Sequence, residues 1–149
     1  MGYHPSGGIR ETLTIPCDRS AWTDESNPSV NHGSDLLLQN GGSNTSSGRN
    51  ALFHFDLSSV PYGVGIVRAR LRLFCDNESV NKGGTYSLRG LLVDWTESGV
   101  NHLSSGIAAW SGGNINAPGN YDAAPILVTV DQSHVDGAEI GRASCRERV

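Results

Sequence analysis

The chain has 149 residues and a formal net charge of −4 at pH 7, with 19 glycines and Lys82 as its one lysine. That length suits one domain able to bury roughly 70% of its unfolded surface. The acidic balance excludes a global basic footprint for nucleic acid. No apolar run approaches the ~20 residues needed to span a bilayer, so membrane insertion is not expected.

Residues 1–10, MGYHPSGGIR, lack the charged and apolar regions of a signal peptide and are expected to form an unstructured tail. Met1-Gly2 with Ser6 meets a myristoylation pattern only formally, since the match is short. Short apolar segments separated by Gly, Asn, Ser and Pro predict strands at Thr12–Cys17, Asp35–Gln39, Asn50–Leu57, Ile66–Cys75, Thr85–Val93 and Ile126–Val130. No amphipathic helix of useful length is present, so the expected class is all-β, a sandwich or barrel. Residues 11–138 read as one module.

The run Asn50 to Phe74, NALFHFDLSSVPYGVGIVRARLRLF, carries the most information. Strand side chains alternate between faces, so Ala51, Phe53, Phe55 and Leu57 are expected on a core face, with His54 and Asp56 opposite. The same period places Val67, Ala69, Leu71 and Leu73 inward and Arg68, Arg70 and Arg72 outward. Asp56 with Ser58 and Ser59 predicts a turn capped by side-chain to backbone hydrogen bonds. Pro61, Gly63 and Gly65 punctuate the corner between the two strands. Alternation also turns Cys17 and Cys75 inward. They read as two buried thiols or as a disulfide, and no CxxC or zinc spacing accompanies them.

The segment Gly99 to Ala124 exceeds the usual length of a connection, which marks it as functional or as ordered by small strands. Trp110 and Tyr121 lie in this Gly-rich stretch and are expected to be exposed, while Trp95 is expected to pack at a strand end. Trp22 remains open between packing and ligand contact.

Residues 139–149 read EIGRASCRERV, a translation of a nucleotide string that looks like a common short-read sequencing adapter. They are expected to lie outside the fold, and the last strands of the domain to be missing. A sandwich cut short in this way exposes an unpaired edge, so the chain should aggregate; a monodisperse, cooperatively melting product would contradict this.

The order of motifs is more specific than any one of them. Asn27-Pro28-Ser29-Val30-Asn31-His32-Gly33 comes first. Arg49-Asn50-Ala51-Leu52-Phe53-His54-Phe55-Asp56-Leu57-Ser58-Ser59-Val60-Pro61 follows, then the Val67–Leu73 segment, then Val93-Asp94-Trp95-Thr96-Glu97-Ser98. This series resembles the DNRLRE-type domain, also described as a carbohydrate-binding module, from about Thr12 to Val130. Two positions depart from its pattern: His54 stands where an arginine is usual, and Val100-Asn101-His102 replaces the step after WTE. The resemblance implies an antiparallel jelly-roll-like β-sandwich. It also implies a non-catalytic unit of a large secreted or cell-surface protein, with neighbouring domains, in a family some of whose members bind acidic polysaccharides.

Within that frame Arg68, Arg70 and Arg72 form the leading candidate site. Alternate strand residues stand ~7 Å apart on one face, a spacing suited to successive carboxylates of a uronic-acid polymer, which Arg pairs bidentately. The competing reading is a solvated outer face balanced by neighbouring acids. Trp110 and Tyr121 are the candidate sugar-stacking residues. No catalytic constellation emerges: no GxSxG elbow, no HExxH, and no general acid/base pair. No cofactor is expected; Asp18, Asp24, Glu25 and Asp35 offer oxygens for a structural calcium ion without EF-hand spacing. The alternative function is a structural or adhesive spacer with no glycan ligand.

Overall fold

A computed structural model describes residues 11–41, 48–74, 84–124, 126–130 and 139–140. The chain is all-β. Among the described residues the strands are β1 (Cys17–Asp24), β2 (Arg49–Phe55), β3 (Leu73–Phe74), β4 (Gly84–Leu88), β5 (Ile126–Val130) and β6 (Glu139–Ile140), with a 3-10 turn at Ser111–Gly113. They form three antiparallel ribbons, β1–β2, β3–β6 and β4–β5. Among the described residues no ladder joins one ribbon to another.

The first strand lies downstream of the expected Thr12–Cys17. Pro16 has no N–H to give a ladder, and the strand begins directly after it. β1 then pairs with β2 from Cys17↔Phe55 to Asp24↔Arg49, with an irregularity between Cys17 and Arg19. Cys17 is a free, exposed thiol rather than a buried one, its Sγ donating to the Arg19 carbonyl at 3.1 Å. Cys75 lies outside the described residues.

The core face of β2 also differs from expectation. Leu52 is buried and pairs with buried Ala21, whereas Ala51, Phe53 and Phe55 are half-buried and Leu57 is 60% exposed. Both faces of the ribbon are partly covered, and alternation cannot tell which of two covered faces is the deeper. Ala21 and Leu52 join Trp95, Val100, Trp110 and Ile115 in one apolar cluster, with Leu91 against its edge. Trp95 therefore packs as expected. Fully burying side chains of this size removes water at about 1.5–3 kcal/mol each.

Residues 35–39 form no strand, and Leu36 there is fully exposed. Residues 61–72 likewise form none; only Leu73–Phe74 are laddered, to Glu139–Ile140. Val67 is 74% exposed and Ala69 is exposed, whereas Leu71 and Leu73 are half-buried, so the expected inward face of this segment is covered only in its second half. An alternating sequence becomes a half-buried strand only when a second layer lies on its apolar side. Of residues 139–149, assigned to adapter sequence, Glu139–Ile140 stand as β6 against Leu73–Phe74 and the rest lie outside the described residues, as do residues 1–10.

Side-chain hydrogen bonds organise the turns. Asp24 ends β1: its Oδ1 accepts the Ser26 amide at 2.9 Å and its Oδ2 accepts Asn27 Nδ2 at 2.9 Å. Pro28 and Ser29 then form a turn closed by Val30 N donating to Asn27 O at 3.0 Å. Asp56 plays the same part after β2, accepting both the amide and the hydroxyl of Ser58 at 2.9 Å. In the Gly-rich region Asn120, fully buried, gathers a whole loop. Its Nδ2 donates to the carbonyls of Ser111, Asn114 and Ala117 at 2.9–3.1 Å, and its Oδ1 accepts the Ser111 amide at 3.0 Å.

Asn120→Asp should cost about 3 kcal/mol or more in denaturant unfolding, because a carboxylate would then face three carbonyl oxygens. A loss below 1 kcal/mol would contradict this. A second expectation concerns acid. The hydrogen bond from Asn27, aided by the Ser26 amide and the charges of Arg49 and His32, holds the Asp24 carboxyl below its ordinary value of 3.8 against the effect of burial. The folded chain thus favours the ion. That stabilisation is present above the unfolded value and is lost as pH falls through the lower folded value. Asp24→Asn should flatten the decline of stability below about pH 4; an unchanged slope there would contradict it.

Candidate functional site

Two of the four motifs in the series, Asn27–Gly33 and Val93–Ser98, meet against β1. Asn31 projects from the turn after Pro28 and its Nδ2 donates twice, to Glu97 O at 2.8 Å and to Val100 O at 2.7 Å. Its Oδ1 accepts the Gly33 amide at 3.3 Å, which closes the short loop behind it. Gly33 presses so closely on the Glu97 backbone that a Cβ there would overlap the Glu97 carbonyl. From the other side β1 reaches the same turn. The Ser20 amide donates to Glu97 Oε1 at 2.8 Å, and Arg19 donates to Trp95 O and pairs with Asp94 at 3.3 Å. The Arg19 guanidinium also lies 5.4 Å from the Trp95 ring centroid.

Asp94 caps this turn, its Oδ1 accepting the Trp95 amide at 2.9 Å. That hydrogen bond, foremost, and the Arg19 partner hold its carboxyl below the ordinary value. Thr96 N donates to Ser105 O and Val100 N to Thr96 O, each at 2.9 Å, so the turn is anchored on both sides. The signature residues are therefore occupied with one another. The groups of Asn31 and Glu97 are bonded to protein, while the Asp94 side chain, though bonded to the Trp95 amide and Arg19, stays largely exposed.

Trp22 is part of the same region. It is buried, its Nε1 donates to Asp35 Oδ2 at 2.9 Å, and His32 stacks on it at a centroid distance of 3.6 Å. His32 Nδ1 lies 2.9 Å from the same carboxylate oxygen. Trp22 thus packs.

The four acids considered for calcium each go to different partners. Asp18 lies 2.6 Å from His54 Nδ1, Asp24 holds Ser26 and Asn27, Glu25 accepts the Gly48 amide at 2.9 Å, and Asp35 serves Trp22 and His32. No group of three or more His, Cys, Asp or Glu side chains among the described residues could hold a metal ion.

The candidate contact residues fall in two places. Arg68, Arg70 and Arg72 are exposed along 61–72. Trp110 is buried in the core rather than exposed, and its Nε1 donates to Asn101 O at 2.9 Å. Composition pointed to an open loop, but the hydrogen bonds of Asn101 and Asn120 fold the segment onto the ring. Tyr121 is half-buried, bridged to Leu91, with its hydroxyl donating to Asn116 O at 2.9 Å. Sequence reasoning passed over Arg89, whose guanidinium lies 4.7 Å from the Tyr121 ring centroid. No short motif links the two residues; only the bridge at Leu91 reveals their proximity.

Gly33→Ala should lower stability by at least about 2 kcal/mol, since the new methyl meets backbone that cannot swing away. Equal unfolding midpoints for the variant and the parent chain would contradict the close approach.

The family model described as carbohydrate-binding module family 96 matches residues 11–104. No curated protein and no solved structure matches the chain. The matched span contains Asn31, Gly33, strands β1 and β2 and the Asp94–Val100 turn, whose contacts are described above, and also the 66–73 segment. The chain belongs to carbohydrate-binding module family 96.

Proposed function

We propose that this module binds an acidic polysaccharide, a uronic-acid polymer above all, through Arg68, Arg70 and Arg72. Membership of a carbohydrate-binding family carries the reading, and such modules bind without catalysing. Three exposed guanidinium groups at two-residue spacing suit repeated carboxylates, because Arg offers paired donors in a fixed fork. Tyr121, half-buried, is a further contact, whereas Trp110 acts by packing.

The finer family reading belongs to the same proposal. The order PSVNHG, FDLSSVP, VRARLRL and DWTES supports a DNRLRE-type, jelly-roll-like module set among other domains of a secreted or cell-surface protein. No helix among the described residues is long and apolar enough to cross a membrane.

Affinity electrophoresis through gels containing alginate, and separately a neutral glucan, tests the function. The chain should be retarded by alginate more than by the glucan. Retardation should weaken on Arg70→Ala and fall as salt is added, since exposed charge pairs are screened. Absence of retardation by any acidic polymer would favour the structural spacer.

A further inference from the structure

We propose that Arg89 and Tyr121 form a second carboxylate-binding subsite for the same polymer, an inference that rests on the acidic-polysaccharide reading. Arg89 follows β4 directly, and the chain then runs beside residues 120–122. Leu92 N donates to Asn120 O at 2.9 Å and Asp122 N donates to Gly90 O at 2.8 Å. Leu91 stands opposite Tyr121 in this short antiparallel pair. Arg89, two residues before Leu91, is therefore the diagonal neighbour of Tyr121 on the same face, within reach of a long side chain. Leu91 packs against the apolar cluster while Arg89 is exposed, which puts the pair at the rim of the core.

The guanidinium is held from two directions. Its Nη1 donates to the carbonyls of Asp122 at 3.0 Å and Ala123 at 3.3 Å, and its carbon lies 4.7 Å from the Tyr121 centroid. The ring is itself fixed by its hydroxyl bond to Asn116 O. An exposed arginine ordinarily keeps most of its rotamer freedom and gives it up on binding. Here that cost is met within the protein before any ligand arrives, which is the condition for a preorganised contact. A guanidinium carries five N–H donors, and Nη1 supplies the two bonds just described. The Nε hydrogen and the second amino group bond to no described residue. These are the donors that grip a carboxylate side-on. Asp122, whose backbone carbonyl holds Arg89, accepts the Ala124 amide at its Oδ1 at 3.1 Å, so that side-chain oxygen is engaged by the backbone.

A uronate chain long enough to reach both places would meet the 68–72 arginines and Arg89 as separate contacts. Arg89→Ala should weaken retardation by alginate about tenfold, the loss expected for one charge-assisted hydrogen-bonded pair, and leave the neutral-glucan lane unchanged. Arg89→Lys keeps the charge but not the fork and should fall between the two, which keeps the test usable if the alanine variant does not fold. Titration of the full chain with a short oligogalacturonate should also shift the Arg89 Nε–H resonance. If the parent chain is retarded by alginate and both Arg89 variants match it, or the Nε–H resonance stays in place at saturation, the subsite is wrong and the acidic-polymer reading stands. If the parent chain is not retarded by any acidic polymer, both fall.

Discussion

The structure depends on the carboxamide of Asn31. Its two N–H groups are the link between the turn after β1 and the Asp94–Val100 turn, at 2.8 Å to Glu97 O and 2.7 Å to Val100 O. Both carbonyls lie where the backbone is turning and has no ladder to satisfy it. Backbone polar groups left unpaired away from water cost about 1–3 kcal/mol each, so one amide side chain settles two obligations at once. Gly33 permits the approach by presenting no Cβ to the Glu97 backbone. Glu97 and Arg19 then tie the same turn to β1. With Trp95 and Val100 so placed, the apolar cluster can close over Ala21 and Leu52.

This arrangement changes the meaning of the family's signature. Polar motifs in a fixed order invite a ligand reading, yet Asn31, Gly33 and Glu97 bond to one another and to neighbouring backbone, and Asp94 bonds to the Trp95 amide and Arg19. The signature is the fastening of the module. On the function proposed above, recognition falls to groups outside it, the exposed arginines of 66–73 and the Arg89–Tyr121 pair at the edge of the core.

Some of this was legible in the residues alone. Strand β2 and strand β5 stand close to where alternation and β-branching place them, and Asp56 caps its turn through Ser58 as its position implies. β1 was displaced because its second half, Ala21 to Asp24, is buried on both faces despite containing Thr23 and Asp24, so no clean alternation marks it. Leu52 rather than Phe53 fills the core because pairing with Ala21 decides the deeper face, and period-two patterns carry no such information. Trp110 was misplaced by the glycines around it, since one buried asparagine supplies the order that the composition lacks. The Arg89–Tyr121 pair depends on a two-residue-wide backbone bridge that leaves no mark in either local sequence.

The central claim, that Asn31 fastens the two turns and through them the core, is tested most directly by native-state hydrogen exchange on the parent chain and on Asn31→Ala. The amides of Ser20, Thr96 and Val100 report the three sides of the joint, through Glu97 Oε1, Ser105 O and Thr96 O. The account predicts that all three lose protection together in the variant, by about tenfold or more, with Leu52 following. Loss confined to residues 31–33, with Ser20, Thr96 and Val100 as protected as before, would contradict it.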